Sequence, residues 1–265
     1  MRPTIRTVDA VVEHGPGVAT VRFDEVHDVA PGQFGMWWVP GVDEIPMSYA
    51  DEDAILVRAV GEATEALCAM EPGDRVGVRG PFGEPFEVPA SGELVVVGGG
   101  TGMAPVAVLA EAASAAGADV TVLIGAASAD QVAYADRLAA VADVGVATED
   151  GSRGHEGLVT ELLDSARDGG DAATGVGPVA PDEVASCGPE PMMAAVLDRF
   201  VDRPGDVQVC LERYMKCGIG ICGSCCIDGS GSPVCSDGPV YRADAVTGGE
   251  FGLYHRDAAG RIEEF

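Results

Sequence analysis

The chain almost dispenses with lysine. Lys216 is the only one in 265 residues, and 16 basic side chains stand against 43 acidic ones, a formal net charge of −27. That balance repels polyanions and excludes nonspecific nucleic-acid binding. Long apolar runs are missing too: nothing approaches the roughly 18 consecutive apolar residues of a membrane helix. Met-Arg-Pro-Thr-Ile-Arg at the start leads into alternating residues, not into the apolar core of a secretory signal. A soluble, cytoplasmic protein with no membrane and no nucleic-acid partner is expected. Histidines are few, and His14, His27, His155 and His255 are scattered. No Ser-His-Asp set or converging carboxylate pair stands out, so side-chain acid–base catalysis is not expected. The acidity does not imply disorder, because 47% of residues are hydrophobic and regularly spaced. A lysine-poor acidic composition suits a halophilic host, whose accumulated salt screens self-repulsion.

Cysteine, by contrast, is concentrated. Six of the eight fall between Cys210 and Cys235. Cys217-Gly-Ile-Gly-Ile-Cys222-Gly-Ser-Cys225, with Cys235 further on, has the C-x4-C-x2-C…C spacing of a plant-type [2Fe-2S] site. Gly218, Gly220 and Gly223 allow a backbone to wrap closely around such a cluster. Zinc or disulfides are the alternatives, although structural zinc usually takes paired C-x2-C knuckles further apart. The fourth cysteine comes after only nine residues, sooner than in plant-type ferredoxins. Cys226 and Cys210 read as packed thiols, and free thiols suit a reducing cytosol.

The length suggests about two domains. Short strands over 7–12, 18–23, 35–39, 54–60 and 74–79, with a turn at 14–17 and a helix over 63–70, predict a small antiparallel barrel. The apolar run 93–97 then enters Gly98-Gly99-Gly100-Thr101-Gly102 and a helix over 103–116. Strand, glycine loop and helix in that order make a nucleotide site. Strands over 119–124 and 143–148, and a helix opened by Cys187-Gly188-Pro189 and ending near Phe200, predict a parallel sheet. The Gly/Ala/Pro-rich stretch 168–181 reads as a flexible insertion, and 207–211 as a last strand before the cysteines. The fold class is therefore multi-domain: an antiparallel β-barrel over 1–90, an α/β parallel-sheet nucleotide domain over 91–205, and a small C-terminal iron-sulfur module over 206–265. The absence of a basic residue from Gly125 to Gln131 favours NAD over NADP.

Pro31-Gly32-Gln33-Phe34, Ile45-Pro46-Met47-Ser48, Val60 to Leu67, Gly80-Pro81-Phe82-Gly83, Gly98 to Pro105 and Cys187-Gly188-Pro189 resemble, in order, the motifs of the ferredoxin-NADP reductase superfamily. The resemblance implies FAD on the barrel and NAD on the sheet. It puts Ile45, Pro46, Met47, Ser48, Leu56, Val57 and Arg58 at the flavin. Its pyrophosphate falls at the helix start Ala63-Thr64, where free N–H groups suit an anion. It puts Gly98, Gly99, Gly100, Thr101, Gly102, Gly188 and Pro189 at the nucleotide, and Ser48 and Cys187 as catalytic residues beside the reacting rings. Ile45 stands where the family usually has an Arg, and Ala63 where it has a glycine. The resemblance implies that Arg58 supplies a compensating charge.

Residues 211–225 and 235–241 are similar to a narrower family, the electron-transfer subunits of type B dihydroorotate dehydrogenase. That likeness implies a [2Fe-2S] cluster on the metal ligands Cys217, Cys222, Cys225 and Cys235. It also implies an FMN-containing dihydroorotate dehydrogenase catalytic subunit as partner, in a heterotetramer with two of each. Electrons would run from dihydroorotate through FMN, cluster and FAD to NAD, in pyrimidine biosynthesis. Small subunits of NADH-dependent ferredoxin reductases, sulfide dehydrogenases and hydrogenases share the plan and form the alternative. A non-catalytic metal-binding interaction module is a further one.

Overall fold

The computed structural model describes residues 2–170 and 174–265. Six strands come first: β1 (Thr4–Gly15), β2 (Val18–Phe23), β3 (Phe34–Trp38), β4 (Glu44–Asp51), β5 (Ala54–Arg58) and β6 (Arg75–Phe82). They close into an antiparallel barrel in the order β1-β2-β5-β4-β3-β6. Closure comes from β1 pairing with β6, Thr4↔Val78 to Thr7↔Arg75, which leaves no free edge. Inside, Val21, Trp37, Ile55, Val57 and Val76 pack with Leu67 of α1 (Glu62–Cys68). Phe23 stacks on Trp37 at 4.6 Å. Strand β4 carries Pro46 opposite Met36, a residue type that argues against a strand in a sequence reading.

The second half runs β7 (Glu93–Gly99), α2 (Met103–Ala116), β8 (Asp119–Ala126), α3 (Ala135–Leu138), β9 (Asp143–Thr148), β10 (His155–Glu156), α4 (Val159–Arg167), β11 (Glu183–Cys187), α5 (Glu190–Asp198), β12 (Val207–Cys210), α6 (Val234–Asp237) and β13 (Val240–Arg242). The sheet order is β10-β9-β8-β7-β11-β12-β13. All neighbours are parallel except β13, which is antiparallel to β12. The winding direction reverses between β7 and β11, and ligands of open α/β sheets bind at the carboxyl ends of such strands. Helix α2 buries Val106, Leu109, Ala110 and Ala113 and ends at Gly117 with φ +110°. It shares one core with Val18, Ala50 and Leu56 of the barrel, so the two halves are packed together.

Several features depart from the sequence reading, strand β4 and helix α3 among them. Helix α4 was not anticipated. Of the stretch expected to be a flexible insertion, 171–173 lie outside the described residues, but Val176 and Val179 are buried in the sheet core. Val176 packs where a Cβ on Gly145 would come within 2.3 Å of it, and the Val179 N–H bonds the Ala166 carbonyl at 3.0 Å. The glycines there make turns around two anchors. Finally, β12 is the strand expected before the cysteines, but β13 beyond them extends the sheet, and β14 (Tyr254–Arg256) with β15 (Ile262–Glu264) forms a terminal ribbon. Among the described residues, no helix is long and apolar enough to cross a membrane.

Candidate functional site

Barrel, sheet and C-terminal segment meet at a narrow slot of about 80 Å³. Phe34, Pro46, Met47, Ser48 and Leu56 form the barrel wall, and Thr101, Gly102, Ala104 and Pro105 the sheet wall. Cys187, Cys210 to Arg213, Met215 and Pro239 close it. The walls approach because Gly102 lies against the Cys187 backbone: a Cβ there would sit 2.4 Å from the Cys187 carbonyl atoms. Cys187 and Cys210 are registered neighbours on β11 and β12, and the Cys187 thiol donates to the Cys210 carbonyl at 3.4 Å. Contact with Cys210, together with burial, holds the Cys187 thiol well above its ordinary value, so it stays neutral. Burial also pushes the Glu212 carboxyl up, although part of that side chain reaches solvent.

A second cavity, of about 310 Å³, opens at the carboxyl ends of β7, β8 and β9. It falls within the range of about 300–1,000 Å³ usual for ligand pockets. Gly99, Gly100, Ala126, Ala127 and Pro189 line it, with Gln131 and Glu149 as polar groups and no Lys or Arg. Gly100 has φ +55°, and a Cβ there would meet nothing within 4 Å, so the backbone at this turn faces free space. An anionic group can approach the loop there without a side chain in the way.

Of the expected site residues, Pro46, Met47, Ser48, Leu56, Thr101, Gly102 and Cys187 come together in the slot. Gly99, Gly100 and Pro189 line the second cavity. Gly98 lies beneath the loop, where a Cβ would come 2.2 Å from Met103 Sδ. Gly188 borders a third cavity beside Glu212, His255 and Phe265. Ile45, Val57, Arg58, Ala63 and Thr64 line none of these. Ile45 faces Trp37 across the β3–β4 pair, and Val57 and Ala63 are buried in the barrel core. Arg58 is exposed at the end of β5. Thr64 Oγ1 accepts the Val60 and Gly61 N–H groups, both at 3.0 Å, and donates to the Gly61 carbonyl at 2.9 Å, so its hydroxyl serves its own helix start. The sequence reading took 207–211 as a last strand and 211–225 as part of the family's cysteine motif, and so missed Glu212, Arg213 and Met215 as slot walls. Only the β11–β12 pairing reveals that role.

Gly218, Gly220 and Gly223 all sit in the left-handed region, at φ +73°, +71° and +74°. They turn the loop so that its N–H groups face sulfur. Ile219 and Ile221 donate to Cys217 Sγ at 3.5 and 3.4 Å, and Gly220 to Cys235 Sγ at 3.1 Å. The Cys235 N–H points to Cys225 Sγ at 3.4 Å. Burial works to raise the Cys217 pKa, but the N–H groups of Ile219, Cys222 and Ile221 outweigh it and bring the thiol down to about 6. Burial pushes Cys235 up to about 12, against the pull of the Gly220 N–H. Cys225 and Cys235 are buried, while Cys222 is exposed beside the exposed Ile219 and Ile221. Among the described residues, no group of three or more His, Cys, Asp or Glu side chains is arranged to hold a single metal ion. Cys217 lies close to Cys222 and Cys235 close to Cys225, with Cys217 also within electrostatic reach of Cys235. Four neighbouring thiols, with N–H donors turned towards the sulfurs of Cys217, Cys225 and Cys235, fit a two-iron, four-thiolate centre.

A closed barrel packed on a parallel sheet, with a slot at their junction and a cysteine loop behind it, defines the ferredoxin-NADP reductase architecture with an added metal-binding segment. Solved structures agree. A NADH-dependent reduced ferredoxin-NADP oxidoreductase superposes with a TM-score of 0.79 at 27% identity, over 91% of this chain and 89% of that one. A ferredoxin NADP+ reductase from Neisseria gonorrhoeae, with bound FAD and NADP, gives 0.61 at 18% identity over 78% and 97%, a likeness of fold alone. Residues 212–247 match the iron-sulfur cluster binding domain of dihydroorotate dehydrogenase B. The probable dihydroorotate dehydrogenase B (NAD(+)), electron transfer subunit of Methanocella arvoryzae is 41% identical over the whole of both chains. Its counterpart in Methanocaldococcus jannaschii is 39% identical over 98% of each. The chain belongs to this family of electron transfer subunits.

Proposed function

We propose that this chain carries electrons between NAD and the FMN of a dihydroorotate dehydrogenase catalytic subunit, within a heterotetramer of two of each, in pyrimidine biosynthesis. In this reading 1–90 holds FAD, 91–205 holds NAD, and 206–265 holds a [2Fe-2S] cluster on Cys217, Cys222, Cys225 and Cys235. One observation carries it: a single slot is walled at once by the barrel, the glycine loop and the segment leading into the cysteines. FAD, when bound, supplies the exchange between two-electron and one-electron chemistry that links a nicotinamide to a cluster.

The chain's own groups do the positioning. Phe34, Pro46 and Leu56 exclude water from the slot, and Ser48 and the neutral Cys187 thiol present uncharged polar atoms beside it. A neutral, buried thiol there does not compete as a nucleophile. Arg58 and the start of α1 at Ala63-Thr64 are assigned to the flavin pyrophosphate, while Ile45 and Val57 hold their strands on the barrel core. The turn from Gly98 to Gly102 and the loop Gly188-Pro189 take the dinucleotide. Glu149, in a cavity that no Lys or Arg lines, disfavours a 2′-phosphate and so supports NAD. The names of the relatives support the partner.

Anaerobic purification in high salt should give a protein with flavin and iron-sulfur absorption that bleaches with NADH and far more slowly with NADPH. Co-purified with the FMN subunit, it should reduce NAD at the expense of dihydroorotate. A colourless, zinc-binding protein would overturn this reading. The likeness to the ferredoxin-NADP oxidoreductase favours a second reading, in which the same chain serves another oxidoreductase. Dihydroorotate failing to drive NAD reduction while reduced ferredoxin succeeds would select it.

A further inference from the structure

Arg79 joins the barrel to the cysteine loop, 138 residues away in sequence. Its side chain, on β6, is 10% exposed. Glu44 of β4 grips one edge of the guanidinium through Nε and Nη2, both at 2.7 Å. The free Nη1 donates to the Cys217 carbonyl at 3.0 Å. A forked Arg–carboxylate pair is geometrically rigid, so Glu44 aims the remaining donor at the loop. Below this clamp lies an apolar seat. A Cβ on Gly218 would come 2.8 Å from Met36 Cγ and 3.4 Å from the Phe82 ring, so the residue after Cys217 lies flat on the barrel surface. The first arm of the loop is thus held by two independent barrel contacts.

Resting on the reading that Cys217 ligates a cluster, we propose that Arg79 is a positioning residue that fixes this arm of the loop and raises the reduction potential of the centre it carries. Two effects act in the same direction. Holding the Cys217 carbonyl keeps the Ile219 and Ile221 N–H groups aimed at Cys217 Sγ, and hydrogen bonds to cluster sulfur are one determinant of potential. The guanidinium also turns its positive edge to the loop while the carboxylate lies on the other edge, which favours the more negative, reduced centre. The contact is not visible in the cysteine spacing, because it depends on where β6 leaves the barrel.

The test uses the full chain, loaded with cofactors under anaerobic conditions, as Arg79→Gln, Arg79→Lys and Glu44→Gln variants. Cluster potential is read by an EPR-monitored redox titration, and loop mobility by hydrogen exchange over 216–222. Arg79→Gln should shift the midpoint to more negative values and exchange several-fold faster. Arg79→Lys, which keeps the charge and loses the fork, should shift it less. Glu44→Gln should move the midpoint the opposite way, to more positive values, which a merely structural contact would not do. Wild-type potential together with wild-type exchange in Arg79→Gln would overturn the proposal, as would potentials of the two Gln variants moving together. Wild-type protein without an EPR signal after reduction would overturn the cluster reading and the potential-setting role with it, while the exchange comparison still decides the clamp.

Discussion

His27 accepts a hydrogen bond from Arg6 Nε at 3.3 Å and lies 5.3 Å from the Tyr49 ring. Only a neutral imidazole nitrogen can accept. Burial, and then the Arg6 charge, lower its pKa below 6.5. Burial lowers His14 in the same direction. A base with a depressed folded pKa leaves the fold at full stability above the unfolded value. As pH falls from 6.5 towards the folded pKa, the unfolded chain takes up a proton that the fold refuses, and stability is lost. Thermal melts from about pH 7.5 to 5 should show Tm falling, and His27→Gln should flatten the fall. Equal slopes in the two proteins would count against a neutral, half-buried His27. At Gly102 the constraint is steric. An alanine would push its Cβ into the Cys187 backbone, so Gly102→Ala should cost about 1–3 kcal/mol and weaken flavin retention, seen as a lower flavin-to-protein ratio after gel filtration. Unchanged stability and flavin content would mean that the two walls can separate freely.

Among the elements, α5, the slot wall and the turn that leads into the C-terminal ribbon are tied by one buried network. Arg213 pairs with Glu190, the first residue of α5, and with Glu250, with side chains 4%, 5% and 1% exposed. The spare carboxylate oxygens accept the Gly252 and Asp228 N–H groups at 2.9 and 3.1 Å. Burial works against the Arg213 charge, and the two carboxylates outweigh it. Arg213→Met would strand two buried carboxylates, a loss of about 3–5 kcal/mol, measurable by urea unfolding at matched salt. A variant as stable as its parent would show that the network does not hold these segments. Nothing local in the sequence announces this triad, because its members lie 23 and 37 residues apart. The cysteine loop was legible for the opposite reason: thiol spacing and left-handed glycines are local facts. Helix α4 sits between these cases. Val159, Leu162, Leu163 and Ala166 keep a helical period that was present in the sequence. The misreading of 174–181 arose because composition reports turn propensity and not where Val176 and Val179 find a core.

For the molecule as a whole, the formal charge of −27 opposes compaction at low salt. The screening length falls from about 8 Å at 0.15 M to about 3 Å at 1 M salt. We therefore expect Tm to climb over that range, and a flat profile would show that the carboxylates are already dispersed widely enough. Compaction is shared among the modules. One core joins Leu56 of the barrel to α2, and another joins Phe34 and Met36 of the barrel to the sheet and to Cys225 and Cys235.

That sharing has a consequence for electron flow. Cys210 in the slot wall and Cys217 at the head of the loop are seven residues apart, so the chain caps their separation at about 25 Å, and Leu211 and Met215 between them are buried in a core shared with the sheet. In the proposed reading, the gap across which charge would tunnel is thus bounded by the polypeptide itself, like two contacts joined by a short lead.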